Sequence, residues 1–245
     1  MHALPCQPAP LPSALVATLL LALALGLQTP SRAELPVAGL LSVGDAPDAA
    51  EAPPLARALA AYEAGETEAA QRLFLLSARD GDALAAYNAA VIRLNGDSTH
   101  PDEPQALALL LQSARSGFAS AQHMLGSLYE NGEFLPASQE ESVRWYRLAA
   151  EQGVAEAQLA LATAYYLGRG APQDYVGAAR WYGQAAETGD AGAQYILASM
   201  HETGLGVPVD LEQALEWYKA AARQGDVAAQ YKAKEVVERL AAHPR

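Results

Sequence analysis

Residues Ala121–Gly153 read AQHMLGSLYENGEFLPASQEESVRWYRLAAEQG, and Ala157–Gly189 read AQLALATAYYLGRGAPQDYVGAARWYGQAAETG. Laid over one another at an offset of 36, they share an opening Ala-Gln, a Leu, a Tyr, a Gly, a Trp-Tyr pair, an Ala-Ala pair and a closing Gly. The same offset runs along most of the chain. Gly81, Gly117, Gly153, Gly189 and Gly225 stand 36 apart, as do Gly96, Gly132, Gly168 and Gly204. Trp145, Trp181 and Trp217 share one phase, each followed by Tyr146, Tyr182 or Tyr218. Self-similarity at a period of roughly 20–50 residues marks an array of supersecondary units, and it outranks any local motif.

Each unit reads as two helices. Ala121, Leu125, Leu128 and Tyr129 fall at i, i+4, i+7 and i+8, one face of a 3.6-residue period, and Ser142, Trp145, Tyr146, Ala149 and Ala150 form a second such face. The Gly96, Gly132, Gly168 and Gly204 column lies where the chain must leave the first helix through a left-handed conformation. Asp102, Ser138, Asp174 and Asp210, again 36 apart, are placed to cap the second helix, and Glu141 and Gln213 are placed to complete capping boxes with Ser138 and Asp210. Gly126, Ala162 and Ala198 form a small-residue column beside Leu125, Leu161 and Leu197, which lets neighbouring helices approach closely. A helix pair cannot bury both faces alone; stacking successive pairs does. The Trp column is expected to be the main filler of the seam between pairs, its truncation to Ala costing about 3–5 kcal/mol.

The columns A-Q-x-x-L-G-x-x-Y-x-x-G, G-x-G-x-P-x-D and A-x-x-W-Y-x-x-A-A-x-x-G resemble the Sel-one-like repeat, a relative of the tetratricopeptide repeat with a longer loop between its helices. Ala121 to Gly153 and Ala157 to Gly225 carry the match most fully. The unit from Ala85 to Gly117 is degenerate, with Leu109 and Leu110 in place of Trp-Tyr, and the stretch from Ala61 to Ala78 looks like an ordinary tetratricopeptide unit. After Gly225 a last helix runs to about Ala241, made polar by Lys234, Glu235, Glu238 and Arg239 as befits a terminal cap. The resemblance implies an all-α fold, a right-handed α-solenoid of stacked antiparallel pairs over 55–241, with about five pairs and a C-terminal capping helix.

Working outward, the 245 residues are 51% hydrophobic with one Cys and a formal charge of -12. A Cys cage for zinc and a disulfide scaffold both need several sulfurs, and 16 bases against 28 acids disfavour nucleic acid. Ala14–Leu27 is an uncharged apolar run, ALVATLLLALALGL, shorter than the roughly 20 residues that span a bilayer. It reads as the core of a cleavable signal peptide over 1–33, with small residues at Ser31 and Ala33 ahead of cleavage before Glu34. Cys6 precedes the run, where a lipoprotein cysteine would follow it. The expected location is therefore periplasmic or secreted, with no stable membrane span in the mature chain. Residues 34–54, rich in Pro and Ala without helical or strand period, read as a flexible leader, and 242–245 as a tail.

Nothing in the sequence marks a catalytic, cofactor or metal site. His201-Glu202-Thr203-Gly204 opens like a zinc-protease signature but lacks the second His at the fourth position, and His201 falls in the column of Tyr129 and Tyr165. His100, His123 and His243 are scattered over other units. Gly168-Arg169-Gly170 and Gly204-Leu205-Gly206 are interhelical turns of the repeat. Cysteine-rich relatives of the resembled family have been described as binding or hydrolysing β-lactams, and their paired Cys residues are absent here. The alternative to a binding protein is thus an enzyme on a cell-wall or β-lactam substrate.

Resembling solenoids use the first helix of each pair to line a concave groove for a peptide or domain. The candidate groove residues are Tyr87, His123, Leu159, Tyr195 and Tyr231 in one column and Glu130, Tyr166 and Glu202, with Glu238, in another; Ser127, Thr163 and Ser199 form a third. Tyr offers large contact area at low entropic cost, but a Tyr recurring at the repeat period also serves packing between units. The expected partner is a protein or peptide, basic or neutral given the acidic chain, and the expected role is a scaffold or regulator at the cell envelope.

Overall fold

The computed structural model describes residues 52–97 and 102–242, all within the second of two units of the chain, Leu35–Arg245. The expected signal peptide, the leader as far as Glu51, Cys6, His100 and the tail from His243 lie outside the described residues. Eleven helices and no strand occur among the described residues: α1 Pro54–Glu63, α2 Thr67–Arg79, α3 Ala83–Leu94, α4 Glu103–Arg115, α5 Ala119–Asn131, α6 Gln139–Glu151, α7 Ala155–Leu167, α8 Tyr175–Glu187, α9 Ala191–Thr203, α10 Leu211–Arg223 and α11 Val227–Ala242. Each packs mainly on the helices before and after it in sequence, antiparallel pair upon antiparallel pair. From α4 to α10 every helix has 13 residues, so successive layers can match along their whole length.

The cap column is formed as its spacing predicts. Asp102, Ser138, Asp174 and Asp210 accept from the backbone N–H of Gln105 (3.0 Å), Glu141 (3.3 Å), Gly177 (2.9 Å) and Gln213 (2.9 Å). The reverse arm of the expected capping boxes is not made. The N–H of Ser138, Asp174 and Asp210 instead donates to the carbonyls of Tyr129 (2.8 Å), Tyr165 (3.0 Å) and His201 (2.9 Å), and Glu141 pairs with Arg144 at 2.6 Å. The longer loop folds back on its own first helix and satisfies that donor before a side chain is needed. Gly132, Gly168 and Gly204 close the first helices at φ 73, 68 and 75°, the left-handed exit that Gly makes without a Cβ clash.

The seam is filled by the Tyr column, where the Trp column was expected. Phe74, Leu110, Tyr146, Tyr182 and Tyr218 stand 36 apart and are 0, 0, 4, 0 and 0% exposed. Of the Trp column only Trp181 is buried, at 7%, while Trp145 and Trp217 are half-buried. Adjacent helical positions point about 100° apart, and it is the Tyr that turns inward. Alanines surround this column: Ala198, Ala214, Ala221 and Ala229 pack with Tyr218. The small column faces it as well. At Gly126 a Cβ would stand 2.5 Å from the Tyr146 ring, and Ala162 and Ala198 are wholly buried.

Candidate partner-binding face

The first helices α3, α5, α7, α9 and α11 are tied to the second helices by three sets of polar bonds, and these decide which side chains remain to meet a partner. The deepest set is the Gln of the Ala-Gln columns. Gln122, Gln158 and Gln194 are buried and donate to the carbonyls of Ala114 (3.0 Å), Ala150 (3.3 Å) and Ala186 (3.1 Å) on the preceding second helix. Gln122 and Gln194 also accept from Gln152 (2.7 Å) and Gln224 (3.0 Å) at the ends of their own units' second helices. Sequence reasoning used this Gln only as a marker of the period. A long polar side chain recurring amid alanines was the signal that it spans two layers.

A second set joins tyrosines to the Glu and Thr columns. Tyr146 donates to Glu130 Oε2 at 2.7 Å and Tyr218 to Glu202 Oε2 at 2.8 Å. In the intervening unit Tyr166 replaces the Glu, and Tyr182 shares a hydrogen bond of 3.0 Å with Thr163. Burial, then the neighbouring carboxylate, pushes the phenols of Tyr146 and Tyr218 well above the usual tyrosine range. Burial pushes Tyr182 up to about 12, the Thr163 bond drawing it back in part. These hydroxyls stay protonated and committed to packing, so they offer no nucleophile at neutral pH.

The third set is ionic. Glu202 is 9% exposed, and its Oε1 receives Arg239 at 2.6 Å and Lys232 at 3.5 Å, both from α11. Lys232 also reaches Glu235 at 3.0 Å. Burial alone would lower the Lys232 ammonium, but the two carboxylates outweigh it and its pKa rises.

The predicted groove residues separate accordingly. Tyr87 is 6% exposed with its ring 5.1 Å from that of Phe118, and burial raises its phenol. His123 is half-buried, 5.7 Å from the Tyr146 ring, and burial lowers its imidazole against the opposing pull of Glu156 and Glu130. Tyr195 is half-buried and meets Tyr218 edge-on at 5.3 Å; Leu159 is half-buried too. Tyr166 sits edge-on to Tyr175 at 5.4 Å and to Tyr182 at 6.3 Å. Glu130 is exposed, whereas Glu202 is enclosed by the α11 cations. Tyr231 is 69% exposed, with Lys234 5.9 Å from its ring centre. The column therefore grades from packing at Tyr87 to an open ring at Tyr231, because no second helix follows α11 among the described residues.

Among the described residues, no group of three or more His, Cys, Asp or Glu is placed to hold a metal, and no helix is long and apolar enough to cross a membrane. The exposed hydrophobics away from the first-helix column include Phe134 (45%), Val176 (68%) and Val209 (63%).

The Sel1 repeat family model matches residues 83–118, 119–154, 155–190 and 191–226. Among solved structures, a Sel1 repeat protein from Oxalobacter formigenes is 30% identical, with a TM-score of 0.65 over 75% of this chain and 55% of its own. The protein c5321, a protective antigen of uropathogenic Escherichia coli strains displaying an SLR fold, is 32% identical, with a TM-score of 0.60 over 65% of this chain and 34% of its own. The chain thus spans about a third to about half of the length of these structural relatives. No curated protein matches it significantly.

Proposed function

The chain belongs to the Sel1 repeat family, whose solenoids typically serve as protein-interaction scaffolds, and on that premise we propose that it binds a protein or peptide through the open column of its first helices. In this reading it is a non-enzymatic scaffold or regulator, exported to the periplasm or cell envelope. The carrying observation is the row His123, Leu159, Tyr195 and Tyr231, whose apolar surfaces stay partly or largely open while the Glu and Tyr hydroxyl columns beside them are spent on internal bonds. Affinity would come from burying these side chains at about 25 cal/mol per Å². Glu130, exposed although its Oε2 accepts from Tyr146, would orient a neutral or basic partner. Export rests on the Ala14–Leu27 run and the Ser31-Arg32-Ala33 site, and amino-terminal sequencing of the secreted chain should begin at Glu34.

The test is a crosslinking pull-down from the envelope of the source cell with the wild-type chain and with Tyr195→Ala and Tyr231→Ala. The expected result is a partner captured by the wild type and lost from the folded variants. Retention of every partner by both variants, with circular dichroism unchanged, removes the column from the binding surface. A turnover assay on cell-wall and β-lactam substrates should show no activity; turnover abolished by His123→Ala or Glu130→Ala would favour the enzyme reading.

A further inference from the structure

A groove of about 510 Å³ opens at the first helix pair, lined by Arg57 of α1 and by Ala69, Arg72, Leu73, Leu75, Leu76 and Arg79 of α2. Ala69, Arg72, Leu73, Leu76 and Arg79 fall at i, i+3, i+4, i+7 and i+10, one stripe of a single helix, with Leu75 at its edge. Leu76 is 46% exposed, as is Leu148 at 43% two periods later on α6, so this column faces outward from the stack. All three arginines are exposed, and none forms an ion pair among the described residues. In a chain of 16 bases against 28 acids, three guanidiniums gathered around leucines make a site for a ligand that is both aliphatic and anionic.

The segment that immediately precedes α1 has that composition. Residues 34–51, ELPVAGLLSVGDAPDAAE, carry Leu35, Val37, Leu40, Leu41 and Val43 and then Asp45, Asp48 and Glu51, with no Lys, Arg or His. They join α1 at Pro53-Pro54, one turn before Arg57. An extended chain advances up to about 3.5 Å per residue, and α2 is about 20 Å long at 1.5 Å per residue. The eleven residues between Leu41 and Pro53 therefore suffice to reach any part of the stripe. Because the segment is covalently attached, its effective concentration at the groove is of the order of millimolar, which a free acidic peptide or a second copy must exceed.

We infer that residues 35–51 dock on the Arg57, Arg72, Leu73, Leu76 and Arg79 groove, the aliphatic part covering Leu73 and Leu76 and the acidic part facing the guanidiniums. The docked segment caps the open end of the stack, the role that polar terminal elements play in repeat arrays.

Paramagnetic broadening tests this on the full chain carrying Cys6→Ser and a nitroxide on Ser42→Cys. Amide signals of Ala69–Arg79 should lose most of their intensity. The loss should be reversed in Arg72→Glu/Arg79→Glu and by high salt. An Asp45→Lys/Asp48→Lys variant, which leaves every described helix unaltered, should reverse it as well. Undiminished Ala69–Arg79 signals in the labelled chain would overturn the inference. So would broadening seen only when isotope-labelled chain is mixed with nitroxide-bearing chain, which would assign the groove to a second copy. If Asp45→Lys/Asp48→Lys leaves the broadening intact, the charge pairing is wrong and the inference falls with it.

Discussion

The Tyr218 hydroxyl donates to Glu202 at 2.8 Å, and the same carboxylate receives Arg239 from the last helix at 2.6 Å, so one side chain joins the seam of the final complete unit to its cap. Replacing Glu202 with Ala leaves a buried phenol without its acceptor and takes from Arg239 and Lys232 the carboxylate they share, Lys232 keeping Glu235. The expected cost is about 1–3 kcal/mol in urea unfolding. Hydrogen exchange should rise first in α11. Glu130→Ala, whose carboxylate is exposed and bonds Tyr146 alone, should cost less.

Tyr182 is wholly buried and Trp145 is not, so the two aromatic columns should respond differently to truncation. Tyr182→Ala should lower stability by about 3–5 kcal/mol, the range for a large buried aromatic. Trp145→Ala should cost clearly less. Chemical denaturation of both variants measures the difference directly.

Gly206 packs its backbone against the start of α8: a Cβ there would lie 2.1 Å from the carbonyl oxygen of Tyr175, at φ 74°. Gly206→Ala therefore combines a left-handed backbone penalty of about 1–2 kcal/mol with overpacking of about 1–3 kcal/mol. A fall of about 2–5 kcal/mol is expected. Gly170→Ala, whose Cβ would meet the Gln139 carbonyl at the same distance of 2.1 Å, should behave alike. The same column holds Phe134 at φ 58° in the unit before, where the chain accepts a side chain in a left-handed conformation with 45% of it exposed.

Alkali should unfold the stack through its tyrosines. The Tyr182 phenol ionises at about 12 in the folded chain and near 10 when unfolded, and Tyr146 and Tyr218 are displaced in the same upward direction. A raised folded pKa contributes stability that is complete below the unfolded value. That stability drains away as pH climbs from about 10 through the folded value, because the unfolded state loses its protons first. Thermal melts from neutral pH to about pH 12 should show stability flat up to about 10 and falling beyond it. Tyrosinate absorbance should rise in two stages, the second coinciding with unfolding.

The helices and their limits were legible because glycines, caps and aromatic pairs recur at 36. Asp102, Ser138, Asp174 and Asp210 could be assigned from that spacing alone, since an N-cap needs only a short acceptor at the right turn. The first-helix caps were not read: Asp82, Asp190 and Asp226 accept from Ala85, Ala193 and Ala229, but Phe118 and Val154 interrupt the column. Which of two adjacent aromatics turns inward also escaped, since Trp145 and Tyr146 differ by one helical step and periodicity alone tolerates either. The bond from Tyr146 to Glu130 joins two columns whose partnership only packing reveals. For the candidate site, the sequence supplied the column of Tyr87, His123, Leu159, Tyr195 and Tyr231, and the fold supplied its gradient of exposure.

The most direct test of binding through the first helices is photo-crosslinking in the source cell from single positions. A crosslinker at Leu159, Tyr195 or Tyr231 samples the proposed face, and one at Val176 or Val209 samples exposed apolar positions off it. The account predicts one common adduct from the first three positions and none from the other two. Adducts from Val176 and Val209 alone would contradict it.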